Sequence, residues 1–404
     1  MAEIIPTPPD RAEELYDLTA KVFRGGGYHR FLRHCRDTYY GGSCYDWQVS
    51  RVAMADGMIV SHVGVWRYRM RVGRARLLTG GIGAVMTHGD YRKRGLSAET
   101  FKATMASMRE AGYDFTMLGG IRDFYDRLGL CPVIPRITVR ADVKELSVEG
   151  LRLRLVKTPV VRANCGPGPI QRIYKRENAT RTGTAERPLY TRPWHALACW
   201  TLNDAAGRVR GYVVAKASGD DLCVHEIGGL GRRCGLGQLI AAIRTLARRA
   251  RCRRVVTWDL SYTHPLCVAL RAGTCRVEMR HERSGGMMAA VVNLRGCLTA
   301  MQGELSDRLA ASTMSRYRGI LSVEAAGEKV PLQISSSRVR VVDTAARSAD
   351  RIVAGPEIAR LLLGSESPAV LAAQSGIRFT GSADKLAEAL LPAQWPMHYT
   401  LDHY

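Results

Sequence analysis

Apolar positions along the chain change period several times, and the changes mark out its elements. After Pro8-Pro9-Asp10, residues Leu15, Leu18 and Val22 recur at helical spacing, and Arg24-Gly25-Gly26-Gly27 breaks that helix. Strand-like runs follow at 47–54, 58–66 and 68–72, and Asp56-Gly57 between the first two reads as a hairpin turn. Residues 77–87 form a further apolar strand, interrupted by glycines. A loop then opens a helix with Phe101, Met105 and Met108 at i, i+4 and i+7, closed by Gly112. A strand at 113–118 and a short helix ending at Gly129 complete the stretch. Strands followed by helices in this order predict a mixed sheet with helices packed on it.

Part of that order returns between residues 151 and 290. A turn at 203–207, strands at 210–216 and 222–227, a Gly-rich loop and an Arg-rich helix are followed by a strand at 254–260. A short helix then ends at Gly273. Cys165-Gly166-Pro167-Gly168-Pro169 reads as a linker or exposed loop between the two stretches. A third stretch, 291–404, opens with Leu298, Met301, Leu305 and Leu309 on one helix face. It continues through strands at 320–325, 329–335 and 338–342 and two short helices. A chain of 404 residues exceeds what one core supports, so three domains at 1–150, 151–290 and 291–404 are expected.

Composition narrows the setting. With 46% hydrophobic and 24% charged residues, the chain reads as globular. Its longest apolar run, 287–292, is far too short to span a bilayer, and the N-terminus has no signal-peptide pattern. The 11 cysteines show no CxxC pair or repeated spacing, which argues against a structural zinc and for a reducing compartment. The cytoplasm is the expected location, with no membrane and no metal. A net charge of +22 attracts anions, but its arginines are scattered and no aromatic stacking pattern accompanies them. Nucleic acid is therefore not an expected partner, whereas local anion sites are.

One window carries chemistry. The strand ends at Thr87, His88-Gly89-Asp90-Tyr91 follows, and Arg92-Lys93-Arg94-Gly95-Leu96-Ser97 opens the next helix. A helix N-terminus presents unpaired N–H groups and the positive end of the macrodipole, a ready seat for a pyrophosphate. Gly95 and Ser97 allow close approach, and Arg92, Lys93 and Arg94 add charge-assisted contacts. The same R-x-x-G pattern recurs as Arg232-Arg233-Cys234-Gly235-Leu236-Gly237. Beyond the first helix and strand comes Phe124-Tyr125-Asp126-Arg127-Leu128-Gly129-Leu130.

The order of strand, R-x-x-G-x-[GAS] loop, helix, strand and F-Y-x-R-L-G resembles the GCN5-related N-acetyltransferase (GNAT) superfamily over roughly residues 10–140. Two such halves and a third domain like a sterol-carrier fold resemble the enhanced-intracellular-survival acetyltransferases. The resemblance implies acetyl-CoA as co-substrate. Its pyrophosphate would lie on Arg92, Lys93, Arg94, Gly95, Leu96, Ser97 and Ala98. The backbone of Val85, Met86 and Thr87, with Gly120 and Ile121, would line the pantetheine arm. It also implies a homo-oligomer, a trimer or hexamer, and a small-molecule or peptide amine as acceptor: an aminoglycoside-like amine, a polyamine or a lysine.

Acetyl transfer needs a base for the amine and an acid for the departing thiolate. Tyr125 is placed to be the acid, and Ala269 stands at the matching second-half position. The first half lacks the superfamily's strand glutamate. The family instead uses the C-terminal carboxylate, here that of Tyr404, with His88 or a water as alternatives. Glu226 holds the usual base position in the second half, so an active second half is conceivable. Two departures from the pattern are Ser97 for Gly or Ala and Asp126 for Gly. The competing reading is a degenerate acetyltransferase scaffold that binds an anionic ligand, nucleic acid or lipid.

Overall fold

The computed structural model describes residues 2–23, 27–159, 168–189, 197–335, 338–343 and 348–404. The glycine break at 24–26 and the linker residues 165–167 lie outside the described residues. Contacts divide the chain into two lobes. The first holds Met1–Ile134, Glu282–Gln394 and Tyr404, and the second holds Pro135–His281 and Trp395–His403.

The first lobe's large sheet comprises β1 (Glu3–Pro6), β2 (Arg51–Ala55), β3 (Met58–Val72), β4 (Ala75–Thr87), β5 (Phe115–Gly120), β6 (Cys131–Ile134) and β14 (Gly286–Val291). Their order across the sheet is β1-β2-β3-β4-β5-β14-β6. The runs expected separately at 58–66 and 68–72 are one strand, because Arg67 keeps its ladder partner Gly80 on β4. Strand β4 runs antiparallel to β3 and parallel to β5, and the helix Leu96–Glu110 crosses between them. That helix buries Leu96, Thr100, Phe101, Thr104 and Met108, one apolar stripe set by its period.

The second sheet comprises β7 (Arg136–Asp142), β8 (Arg154–Thr158), β9 (Ala198–Asn203), β10 (Val209–Ser218), β11 (Asp221–Gly228), β12 (Arg254–Thr257) and β13 (Cys275–Arg280). Its order is β13-β7-β12-β11-β10-β9-β8. Here β11 runs parallel to β12, and the helix Gly235–Arg249 connects them. The arrangement of β4, helix and β5 is thus repeated.

A third, five-stranded sheet belongs to the first lobe: β15 (Gly319–Ala325), β16 (Glu328–Ser335), β17 (Arg338–Val341), β18 (Asp350–Val353) and β19 (Arg378–Thr380), in the order β17-β16-β15-β18-β19. The helix Leu294–Ala310 begins on Asn293, whose side chain accepts from the Gly296 N–H at 2.7 Å. It buries Leu298, Met301, Leu305 and Leu309, as the spacing predicts, and its Glu304 accepts from the Arg74 N–H at 2.8 Å.

Sheet membership departs from cuts at 150 and 290. The strand at 136–142 pairs with β12 and β13, whereas the apolar run at 286–291 inserts between β5 and β6. These pairings join residues 112 to 176 positions apart, beyond the reach of local periodicity. None of the ten described cysteines is in a disulfide. No helix among the described residues is long and apolar enough to cross a membrane, and no acid–histidine–cysteine group among them could hold a metal.

Candidate active site

Strands β4 and β5 pair from Thr79 opposite Phe115 to Ile82 opposite Leu118, and there the parallel ladder stops. Beyond it β4 continues to Thr87 on β3 alone, so one edge of its last five residues opens. The opening has a local cause. The register on β3 shifts between His62 and Gly64, and Ala84 takes a positive φ of 45°, a β-bulge. Buried His62 holds the bulge: its Nδ1–H donates to the Ala84 carbonyl at 2.8 Å, and its Nε2 lies 2.7 Å from the Tyr45 hydroxyl. Burial lowers the His62 pKa to about 4, so the ring is neutral near pH 7.

Alternation along β4 fixes which groups face the opening. The His88 N–H donates to the Val60 carbonyl on β3 at 2.8 Å. His88 and Met86 therefore point their main-chain groups toward β3, and those of Val85 and Thr87 face the side β5 has left. Gly83, Val85 and Thr87 are half-exposed, whereas Ile82, Ala84 and Met86 are buried.

The Arg92–Ser97 turn continues this edge. Gly95 sits at φ 80° and caps the helix, its carbonyl accepting from the Ala98 and Glu99 N–H groups at 3.0 and 3.1 Å. Among the described residues nothing accepts from the N–H groups of Lys93, Arg94, Gly95, Leu96 and Ser97. This run of open donors, at the positive end of a helix, fits a diphosphate. Arg92, Lys93 and Arg94 are exposed around it, and Arg92 is tied back to the Thr87 carbonyl at 3.3 Å. Arg94 donates to the Asp90 carbonyl at 2.9 Å and lies over the Tyr91 ring. His88 is committed to the turn itself, its Nδ1 accepting from the Asp90 N–H at 3.4 Å. Gly120 ends β5, and Ile121 just beyond it is 65% exposed.

Tyr404 meets β4 where the strands part. A Cβ placed on Gly83 would lie 3.0 Å from the Tyr404 carboxyl carbon and 2.8 Å from the Tyr39 hydroxyl. A Cβ on Gly81 would lie 2.4 Å from the Tyr404 ring. Both glycines share one face of β4, and their missing side chains make the seat for the terminal residue. The Tyr404 ring also packs against Tyr68 at 5.8 Å.

Tyr125 is 6% exposed and packs on Phe101 of the crossing helix at 5.7 Å and on Phe124 at 4.8 Å. It shares a core cluster with Ile82 and Leu118, the last ladder pair before the strands diverge. Burial pushes its phenol up to about 12, so it keeps its proton. No described residue hydrogen-bonds its hydroxyl. Asp126 accepts from the Ser284 hydroxyl at 3.2 Å, and that hydroxyl accepts from the Asp123 N–H at 2.7 Å. The departure at 126 thus braces the turn beneath Tyr125.

Residues 3–133 match the family model described as an acetyltransferase (GNAT) domain. The fold is GNAT. A GCN5-related N-acetyltransferase from Anabaena variabilis superposes with a TM-score of 0.75 at 15% identity, covering 100% of both chains. One from Kribbella flavida gives 0.71 at 14%, covering 100% of this chain and 98% of that one. Eis1 from Mycobacterium abscessus gives 0.68 at 13%, covering 100% of both. At these identities the likeness is one of fold. Among curated proteins, no sequence matches.

In the second lobe part of the corresponding loop bonds to the chain itself. Glu177 accepts from the Gly229 N–H at 3.1 and 3.0 Å and from the Leu230 N–H at 3.0 Å. The Gly235 N–H, counterpart of that of Gly95, donates to the Gly229 carbonyl at 2.9 Å. Glu226 is fully buried against Arg187 at 2.7 Å and the Tyr212 hydroxyl at 2.6 Å. Burial raises its carboxyl above the usual range even beside Arg187.

Asp46 accepts from the Tyr113 hydroxyl at 2.7 Å, Asp402 belongs to the second lobe beside Arg187, and Asp37 is exposed on the turn Cys35–Tyr39. The sequence reading did not single out His62, Gly81, Gly83 or Arg187. Alternate glycines at 81 and 83 were the available signal for the first group; Arg187 had none.

Proposed function

We propose that the first lobe is an N-acetyltransferase that moves an acetyl group from acetyl-CoA to an amine by direct attack. The observation carrying this reading is one strand edge: β4 opens beyond Ile82, leads into the unpaired amides of 93–97, and has the Tyr404 carboxyl at Gly83. The thioester supplies an acyl carbon open to attack and a thiolate leaving group. Residues 93–98 and the nearby arginines hold the diphosphate, while Val85, Met86, Thr87, Gly120 and Ile121 line the path of the pantetheine arm.

The Tyr404 carboxylate takes the proton from the attacking amine as the C–N bond forms. The Tyr125 O–H gives a proton to the sulfur as the C–S bond breaks. A phenol pushed up to about 12 by burial suits a group that must remain protonated until then. Inward main-chain groups on the open edge of β4 polarise the acyl oxygen without rearranging. Water exclusion follows from the aromatic wall of Tyr39, Tyr68 and Tyr404.

The test is thiol release from acetyl-CoA with polyamines, aminoglycosides and lysine peptides, each product identified by mass. Acetyl-CoA-dependent release with at least one amine is expected. No release and no CoA binding, with binding of RNA or lipid instead, would point to the scaffold reading.

A further inference from the structure

We propose that the second lobe binds a chain of linked phosphates in a basic hollow at the C-terminal end of its helix Gly235–Arg249. Lys144, Arg248 and Arg253 line the site, and Arg251 adds to it.

Eight arginines fall between residues 232 and 254, with no acidic residue among them. Some are committed within the lobe. Arg244 donates to the Leu146 and Glu149 carbonyls at 3.1 and 3.4 Å, and Arg254 donates to Asp221 at 2.5 Å. Arg248, Arg249, Arg251, Arg253 and Lys144 are exposed, and among the described residues no carboxylate pairs with them. They come together through the backbone. The Val143 N–H donates to the Arg253 carbonyl at 2.9 Å, which brings Lys144 beside that arginine. Asp142, Val143, Lys144, Arg248 and Arg253 line an open hollow of about 460 Å³. Asp142, and Asp220 whose carbonyl accepts from the Arg253 N–H, leave these five cations in clear excess.

Cations in a last helical turn also stabilise the negative end of the helix, which accounts for Arg248 and Arg249. It does not account for Arg251. The helix ends in a Schellman motif: the Cys252 N–H donates to the Ala247 carbonyl at 2.8 Å and the Arg251 N–H to the Arg248 carbonyl at 3.1 Å. Residue 251 is therefore left-handed, with φ 56°. The first-lobe helix closes in the same way on Gly112 at φ 74°, the residue this position favours. An arginine held there against backbone preference points to a use for its side chain.

The ligand class follows from what the hollow lacks. Residues 142–149 and 244–254 include no aromatic side chain, so neither segment offers a ring for a base to stack on. Recognition is left to charge, and guanidinium groups match phosphate oxygens in pairs. An open hollow with several cations fits a linear ligand that repeats its charge at short intervals, as inorganic polyphosphate does.

The full chain, with CoA at saturation to fill the first-lobe turn, is titrated with inorganic polyphosphate and separately with single-stranded RNA, each at several salt concentrations. Arg248→Gln combined with Arg253→Gln should weaken polyphosphate binding about tenfold or more and lower the salt slope by about 2. Arg251→Gly should weaken binding while the melting temperature holds or rises, because glycine relieves the left-handed position. Arg172→Gln combined with Lys175→Gln removes two exposed cations from the helix Pro169–Glu177 and should leave affinity within about twofold. Native affinity in the Arg248/Arg253 and Arg251 variants, or an equal loss in the Arg172/Lys175 control, overturns the site. RNA bound more tightly than polyphosphate through the same arginines overturns the assigned ligand.

Discussion

Gly83 and the carboxyl carbon of Tyr404 compete for one space: a Cβ on the first would stand 3.0 Å from the second. Residues far apart in sequence thus meet at the point where β4 loses its β5 partner. Gly83→Ala should displace the terminal carboxylate without touching the amides at 93–97. The expected result is a kcat lower by roughly 10- to 100-fold with CoA affinity within about twofold. Steady-state kinetics and calorimetric titration check it, and a native kcat would separate Gly83 from catalysis.

Tyr125 is buried, and among the described residues nothing hydrogen-bonds its phenol. Tyr125→Phe removes only the hydroxyl, so ring packing on Phe101 and Phe124 should survive. We expect kcat to fall by about 100-fold or more, with melting temperature and CoA affinity little changed. An unaltered rate would remove Tyr125 from the chemistry.

His62 links pH to the geometry of the open strand. Its folded pKa of about 4 lies below the ordinary value near ~6.5. As pH falls, the unfolded chain takes up this proton first, so the contribution of His62 is complete above about 6.5 and drains away toward 4. Over that window the loss is about 3 kcal/mol. Denaturant unfolding at pH 7.5 and 4.5 should show wild type losing about 2 kcal/mol more than His62→Gln. Equal losses would contradict the assignment.

Much of this was legible in the sequence, for identifiable reasons. The basic turn, its helix and the parallel strand after it are local features, and Phe101 and Met108 fall where their spacing put them. The helix Leu294–Ala310 followed in the same way from Leu298, Met301, Leu305 and Leu309. What escaped was non-local. Nothing around Ala289 announces that it pairs with both Met117 and Cys131, and nothing around Val139 announces a place in the second sheet. The glycines at 81 and 83 looked like interruptions of a strand and are instead the seat of the last residue. Glu226 held the position of a base, yet only tertiary contacts with Arg187 and Tyr212 show its carboxylate spent.

The central claim is that the coenzyme lies along β4 and the turn after it in the first lobe alone. Hydrogen exchange with and without CoA, read by mass spectrometry, tests this most directly, because among the described residues nothing accepts from the amides at 93–97. The account predicts CoA-dependent protection across residues 83–98 and none across residues 226–237. Protection centred on residues 226–237, or no change in either segment, would contradict it.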